Sequence, residues 1–212
     1  MTRRRALLAR PESPNEYVMS GLVLWLDGIN KGDTANAWTD LVGGHVFEAH
    51  NGVTFNQDHL TFARARSQYM TNTSFNVPAS DVGTIEIVHS CDMARYIVFM
   101  PKTNNSLCFG RYDNYLIYTS DPVKRSITQI GSNIGYFSFS DLNRIVNGES
   151  YRNNNMESWL SANDVNYIGC RRGSEHLYTG DIYCIRIYNR QLSSAEVFRN
   201  YAIDQSRFHL AI

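Results

Sequence analysis

Apolar residues along this chain recur mostly at every second position in short runs, the period of a pleated strand rather than of a helix. The clearest run is Asp181-Ile182-Tyr183-Cys184-Ile185-Arg186-Ile187-Tyr188, whose alternation puts Ile182, Cys184, Arg186 and Tyr188 on one face and Tyr183, Ile185 and Ile187 on the other. Both faces are largely apolar, so the spacing predicts a central strand, covered on both sides. Shorter runs of β-branched and aromatic residues, divided by Gly, Asn, Asp and Pro, predict strands over 21–26, 45–48, 53–56, 59–62, 69–71, 84–90, 96–100 and 106–111. The same pattern continues over 114–119, 126–130, 135–141, 143–146, 156–160, 166–170 and 180–188. A single helix is signalled over 193–202, where Ser193 and Glu196 make a capping box and Val197, Phe198 and Tyr201 mark an apolar side. Residues 1–20 show no strand pattern: Arg3, Arg4, Arg5 and Arg10 are followed by Pro11 and Pro14, which reads as a basic arm before a body spanning 21–212. The expected fold is all-β, one sandwich of two antiparallel sheets with one short C-terminal helix.

Composition narrows the function classes. The 212 residues are 43% hydrophobic and 19% charged, the range of ordinary globular chains. Twenty basic and twenty acidic side chains cancel, so no global field draws the protein to nucleic acid or to an anionic membrane, and neither is expected as a partner. The longest apolar stretch, 22–26, falls far short of the ~20 residues of a spanning helix. Ala6, Leu7, Leu8 and Ala9, between Arg5 and Arg10, are too few for the apolar core of a secretion signal, so synthesis in a cytoplasm without export is expected. Cys91, Cys108, Cys170 and Cys184 form no Cys-x-x-Cys pair and sit in or beside apolar runs, which predicts free, buried thiols. His45, His50 and His59 cluster only along the chain, across a predicted hairpin, and read as turn and surface residues. No metal and no cofactor are expected.

The closing stretch Gly180-Asp181-Ile182-Tyr183-Cys184-Ile185-Arg186-Ile187-Tyr188-Asn189-Arg190-Gln191-Leu192-Ser193-Ser194-Ala195-Glu196 resembles the last strand and helix of the laminin-G-like, concanavalin-A-like jelly rolls. The typical run there is Gly-x-Ile-Asp-Glu-Val-Arg-Ile-Tyr-Asn-Arg-Ala-Leu-Ser-x-Glu-Glu. Further pieces fall in the family's order: Leu22-Val23-Leu24-Trp25-Leu26-Asp27, Trp38-Thr39-Asp40-Leu41, Thr84-Ile85-Glu86-Ile87, Val146-Asn147-Gly148-Glu149 and Tyr167-Ile168-Gly169. The resemblance covers about residues 21–202 and implies a two-sheet jelly roll. One departure bears on function: where the family has Asp-Glu in the closing strand, this chain has Tyr183 and Cys184, which removes two oxygen ligands suited to calcium. The fold hosts lectins, adhesion modules, glycosidases and capsid parts, so it does not name an activity.

Glycosidases of this fold usually carry a Glu-x-Asp-x-x-Glu strand, which is missing here: Glu86 precedes Ile87 and Val88, and Glu157 stands alone. No nucleophile elbow and no phosphate-binding glycine loop occurs, so catalysis is not expected. Tyr112, Asn114, Tyr115 and Trp159, with Asn153 and Asn154, offer aromatic faces and amides for a sugar, although the same residues serve equally as strand and turn formers. Arg3, Arg4, Arg5 and Arg10 offer forked donors for anchoring to an acidic or phosphate-bearing groove, or make a solvated tail. The first ten residues also resemble the Arg-rich beginnings of virion proteins in tailed phages of gut bacteria, including the crAss-like group. That resemblance implies a non-catalytic virion structural protein, an auxiliary capsid or head-fibre component anchored by its arm to other virion proteins. The alternative is a carbohydrate-binding, lectin-like module whose partner is a surface glycan.

Overall fold

The computed structural model describes residues 16–73, 75, 84–93, 96–101, 106–112, 115–118, 126–129, 134–140, 143–146, 149–152, 166–170 and 177–209; for 91–152 it describes backbone and strand pairing. Sixteen strands are found among them. They are β1 (Leu22–Asp27), β2 (Ala37–Thr39), β3 (Val46–His50), β4 (Thr54–Phe55), β5 (Leu60–Phe62), β6 (Tyr69–Asn72), β7 (Thr84–Met93) and β8 (Tyr96–Pro101). Then follow β9 (Ser106–Tyr112), β10 (Tyr115–Tyr118), β11 (Ser126–Gln129), β12 (Ile134–Ser140), β13 (Asn143–Val146), β14 (Glu149–Arg152), β15 (Asn166–Ile168) and β16 (Thr179–Tyr188). One helix, α1 (Ser194–Arg207), closes the described chain, and a short 3-10 turn (Arg64–Arg66) precedes β6. The expected strand at 156–160 falls outside the described residues, while β2 is too short and β14 too polar to show as alternating runs.

The strands form two eight-stranded antiparallel sheets, arranged as a sandwich. The first runs β14-β13-β12-β7-β16-β5-β4, with β1 also on β16; the second runs β11-β10-β9-β8-β15-β6-β3-β2. β16 is central, as its pattern predicts: β7 lies along one edge, while β1 and β5 share the other. One detail of that pattern is corrected. The pairing with β7 shifts between Ile182 and Cys184, so Tyr183 is an extra residue that breaks the alternation. Ile182 therefore joins Ile185 and Ile187 in the core between the sheets, and Tyr183 turns to the opposite face with Cys184 and Tyr188.

The core between the sheets takes Leu24, Leu26, Leu60, Phe62, Ile85 and Ile87 from the first sheet and Trp38, Phe47, Met70 and Ile168 from the second. The Trp38 indole N–H donates to the Asp27 carbonyl at 2.9 Å, which satisfies the one polar atom its burial would strand. The other face of the first sheet is covered by α1 and by residues 17–18, over Leu22, Val88, Cys184, Tyr188, Leu192 and Val197. The helix runs past the expected 202 to Arg207, because Asp204 and Phe208 are buried against the sheet and hold its last turn down.

At the start of α1 the capping box forms as predicted: the Glu196 amide donates to Ser193 Oγ at 3.3 Å, and the Ser193 amide donates to Glu196 Oε2 at 2.8 Å. Arg190 adds a forked pair to the same carboxylate, at 2.7 and 3.1 Å. The Arg190 hydrogen bond, with smaller help from Ser193, holds Glu196 well below the usual carboxylate range, at about 2. A folded-state pKa below the unfolded value means stability that is present above about pH 4.5 and is lost as pH falls toward about 2. Ser193→Ala should cost about 1 kcal/mol in urea unfolding at pH 7, as loss of such a cap does. Glu196→Gln should flatten the acid limb of the stability profile relative to the parent chain.

Under α1 lies a charged network with no solvent contact. Arg186, Glu86 and Asp204 are each 0% exposed. Arg186 Nε donates to Glu86 Oε2 at 2.7 Å, Nη1 donates to Asp204 Oδ1 at 3.0 Å, and Nη2 donates to Asp204 Oδ2. Asn200 Nδ2 donates to Glu86 Oε2 at 2.9 Å and to the Tyr188 hydroxyl at 3.0 Å. The Tyr17 hydroxyl donates to Asp204 Oδ1 at 2.7 Å, and its ring lies 4.6 Å from the Arg186 guanidinium carbon. Burial by itself would lower the Arg186 pKa; the Asp204 and Glu86 carboxylates outweigh it and push the guanidinium further up. Glu86, which the sequence places before Ile87 and Val88, is thus half of a cross-strand pair whose register partner is Arg186.

Residues 17–20 belong to the body. Tyr17 is 8% and Val18 0% exposed; the Val18 amide donates to Asn200 Oδ1 at 2.9 Å, and its carbonyl accepts from the Tyr188 hydroxyl at 3.1 Å. The Ser20 carbonyl accepts from Arg190 Nε at 2.9 Å. A boundary between 20 and 21 therefore cuts a packed segment. Arg3, Arg4, Arg5 and Arg10 lie outside the described residues.

Candidate functional site

Two polar clusters lie within reach of solvent, one on each sheet. On the second sheet the register fixes which residues share a face, because directly opposed residues of an antiparallel pair point the same way. Ala49↔Met70 and Ile168↔Met70 point into the core. The intervening pairs, Glu48↔Thr71, His50↔Tyr69 and Tyr167↔Thr71, therefore point outward from β3, β6 and β15. Glu48 is exposed, and His50, Tyr69, Thr71 and Tyr167 are half-buried.

On this open face the His50 and Tyr69 rings stack at 4.5 Å with 17° between their planes, and the Tyr69 and Tyr167 rings follow at 6.2 Å and 48°. His50 Nε2 and Thr71 Oγ1 share a hydrogen bond of 2.7 Å, which fixes the imidazole beside the ring it stacks on. Desolvation, then the neighbouring Cys170 and Tyr69, raise the Tyr167 phenol above its ordinary pKa, so its hydroxyl stays neutral and able to donate. The arrangement presents three rings in a row, an imidazole and two phenols, with the Glu48 carboxylate and the Thr71 hydroxyl beside them. Such a surface can hold a flat apolar face bearing hydroxyls at its edges.

The second cluster lies on the first sheet where β5 meets β16. Asp58 Oδ1 is 2.6 Å from His59 Nδ1, and His59 Nε2 faces Asp181 Oδ1 at 3.6 Å. Thr61 Oγ1 donates to Asp181 Oδ1 at 2.6 Å and accepts from Asn56 Nδ2 at 2.8 Å. The two carboxylates lie on opposite sides of one imidazole, so the space a substrate would need between them is filled. The groups satisfy one another and tie β5 to β16 through the Thr61↔Asp181 register pair. Among the described residues no group of three His, Cys, Asp or Glu side chains is placed to hold a metal ion. Where the resembled jelly rolls have an acidic pair, Tyr183 packs between His59, at 5.1 Å, and Phe208, at 5.6 Å. Cys184 is buried with its sulfur 3.3 Å from Arg186 Nη1, so these two positions offer no carboxylate to a cation. Cys170 and Cys184 are free and buried.

The candidate sugar-binding residues of the sequence fall elsewhere. Tyr112 and Tyr115 are register partners across the β9–β10 hairpin; their side chains, with Asn114 and Trp159, lie outside the described residues. Sequence reading missed the face made by Glu48, His50, Tyr69, Thr71 and Tyr167. The alternation Phe47-Glu48-Ala49-His50 and Tyr69-Met70-Thr71 carried the signal, but nothing local says that β15 pairs with β6.

The sequence matches no family model and no curated protein. Its fold, in contrast, is shared with many solved structures. Domain 4 of AbnA, a GH43 extracellular arabinanase from Geobacillus stearothermophilus, in complex with arabinotriose, superposes with a TM-score of 0.64 at 13% identity, over 86% of this chain and 98% of that domain. A Trypanosoma rangeli sialidase in complex with sialic acid gives a TM-score of 0.62 at 14% identity, over 88% of this chain and 33% of the sialidase. A structure reported for cell entry of botulinum neurotoxin type C, dependent upon interaction with two ganglioside molecules, gives 0.63 at 9% identity, over 86% of this chain and 51% of that one. The chain thus spans a third of the sialidase, about half of the toxin chain and nearly the whole arabinanase domain. At these identities the shared feature is the β-sandwich itself.

Proposed function

We propose that this chain is a non-catalytic carbohydrate-binding β-sandwich module. The observation that carries the reading is the near whole-length superposition on domain 4 of the arabinanase, a single module solved with arabinotriose bound. The sialidase structure, in complex with sialic acid, and the toxin structure, reported for cell entry dependent upon ganglioside molecules, lean the same way. The second sheet supplies a suitable surface, with Tyr69, Tyr167 and His50 set beside Glu48 and Thr71.

Absence of turnover belongs to the same proposal. Glycoside hydrolysis needs two carboxyl groups facing each other across a gap of about 5–9.5 Å that admits the scissile bond. Glu86 and Asp204 are closed on Arg186 beneath α1, and Asp58 and Asp181 are separated by His59. The virion reading rests on residues 1–10, outside the described residues, and the three structural neighbours add nothing to it. The test is calorimetric titration of the intact chain with a panel of neutral and sialylated oligosaccharides, followed by chromatography of the same mixtures. Saturable binding with the sugars recovered intact is expected. Failure to bind any member, or release of shorter sugars, would overturn the proposal.

A further inference from the structure

We infer that the open face of β3, β6 and β15 is the saccharide site, and that it takes neutral sugars in preference to carboxylate-bearing ones; this rests on the carbohydrate-binding reading above. Among the described residues, the face of the first sheet around Val88, Cys184 and Tyr188 is covered by α1 and residues 17–18, whereas on the outer face of β3, β6 and β15 Glu48 is exposed and His50, Tyr69, Thr71 and Tyr167 keep part of their surface in solvent. That face gathers rings from three strands. His50 and Tyr69 stack at 17°, whereas the Tyr69 and Tyr167 rings tilt by 48° at 6.2 Å, which makes a continuous aromatic surface beside Thr71, the register partner of Tyr167.

The charge of the face selects the ligand class. Aromatic faces carry the negative side of the ring quadrupole, which attracts the weakly positive C–H groups of a sugar's apolar face and repels an anion. Glu48, in register with Thr71 beside the rings, can accept hydrogen bonds from hydroxyls and repels a sugar carboxylate. The neutral phenol of Tyr167 donates and accepts, which also suits a hydroxyl. The nearest basic residues before β6, Arg64 and Arg66, belong to the turn beyond Ser67, outside the row of rings. A neutral polyol is complementary to every group on the row; a sialylated one is complementary only to what lies past its end.

Lactose and 3′-sialyllactose differ by one carboxylate-bearing sugar, and arabinotriose supplies a second neutral probe. In titrations of the wild-type chain a neutral probe should bind about tenfold more tightly than sialyllactose, and Tyr167→Ala should weaken that neutral binding by about tenfold or more. Tyr167→Phe should stay within about threefold, since it keeps the ring, and Glu48→Gln should narrow the gap between lactose and sialyllactose. Where Tyr167→Ala does not fold, amide shifts in the wild-type chain on adding the neutral probe replace it, and they should cluster on β3, β6 and β15. Equal or tighter binding of sialyllactose, wild-type affinity in a folded Tyr167→Ala, or shifts confined to other strands would each overturn the inference. A wild-type chain that binds no oligosaccharide at all would instead remove the carbohydrate-binding reading beneath it.

Discussion

Arg186→Met should destabilise the domain by about 3–5 kcal/mol, the cost of breaking a buried ion pair from one side. Methionine fills much of the arginine volume, so little of the loss comes from a cavity; the damage is to what remains. Of the donors in this network, Asn200 stays with Glu86 and the Tyr17 hydroxyl with Asp204, and neither brings a positive charge. Two carboxylates are then left 0% exposed with no cation between them. Against a typical domain stability of 5–15 kcal/mol, that loss is a large share of the whole. Arg186→Lys should fall between the parent and the Met variant, because an ammonium cannot reach Glu86 through one nitrogen and Asp204 through two others. The contrast that isolates the mechanism is the triple variant Arg186→Met, Glu86→Leu, Asp204→Leu, which should recover most of the loss, since apolar replacements of buried ion networks are often neutral or stabilising. Urea unfolding of the four proteins, with the slope of each transition checked for constancy, reads the result. A Met variant within about 1 kcal/mol of the parent would mean that water reaches the network.

The network also shows what the sequence could and could not disclose. The β16 pattern predicted a central strand with two apolar faces, and Arg186 stood inside it as the one basic residue. A charge at the middle of such a strand needs partners, yet its partners come from β7 and α1, and local sequence does not say which strands neighbour β16. The bulge at Tyr183 is illegible for a related reason: an extra residue on one strand is defined only against the strand it pairs with, and β7 lies far away in the chain. The cap of α1 was legible because Ser193 and Glu196 are three residues apart and satisfy each other locally. The row of His50, Tyr69 and Tyr167 was hidden because it is assembled from three strands whose order the chain does not follow. Pattern named the elements and their inner faces; pairing placed the chemistry.

A chain beginning at Gly21 should unfold at a clearly lower urea concentration than one beginning at Glu16, with a difference on the order of 3 kcal/mol. The short segment between those starts lies outside any strand or helix, which is why it reads from sequence as part of an arm. Its side chains behave otherwise. Val18 is sealed between sheet and helix, and full burial of such a side chain is worth about 1.5–3 kcal/mol. Tyr17 lays its ring on the Arg186 guanidinium, packs edge-on against Trp25 at 5.0 Å and donates its hydroxyl to Asp204. Removing both opens Asn200 Oδ1, the Tyr188 hydroxyl and one Asp204 oxygen, each of which now has a partner in this segment. Ordering a few residues costs about 1–2 kcal/mol each in backbone entropy, which is why the net effect is smaller than the contacts alone suggest. Both truncations lack Arg3, Arg4, Arg5 and Arg10, so the difference between them isolates residues 16–20. It also decides how the basic residues are to be tested for anchoring: loss of a partner in the Gly21 chain would mix lost contacts with lost stability, whereas loss in the Glu16 chain would report on residues 1–15. Equal urea midpoints for the two chains would show that Tyr17 and Val18 add nothing to the fold, and would return the boundary to residue 21.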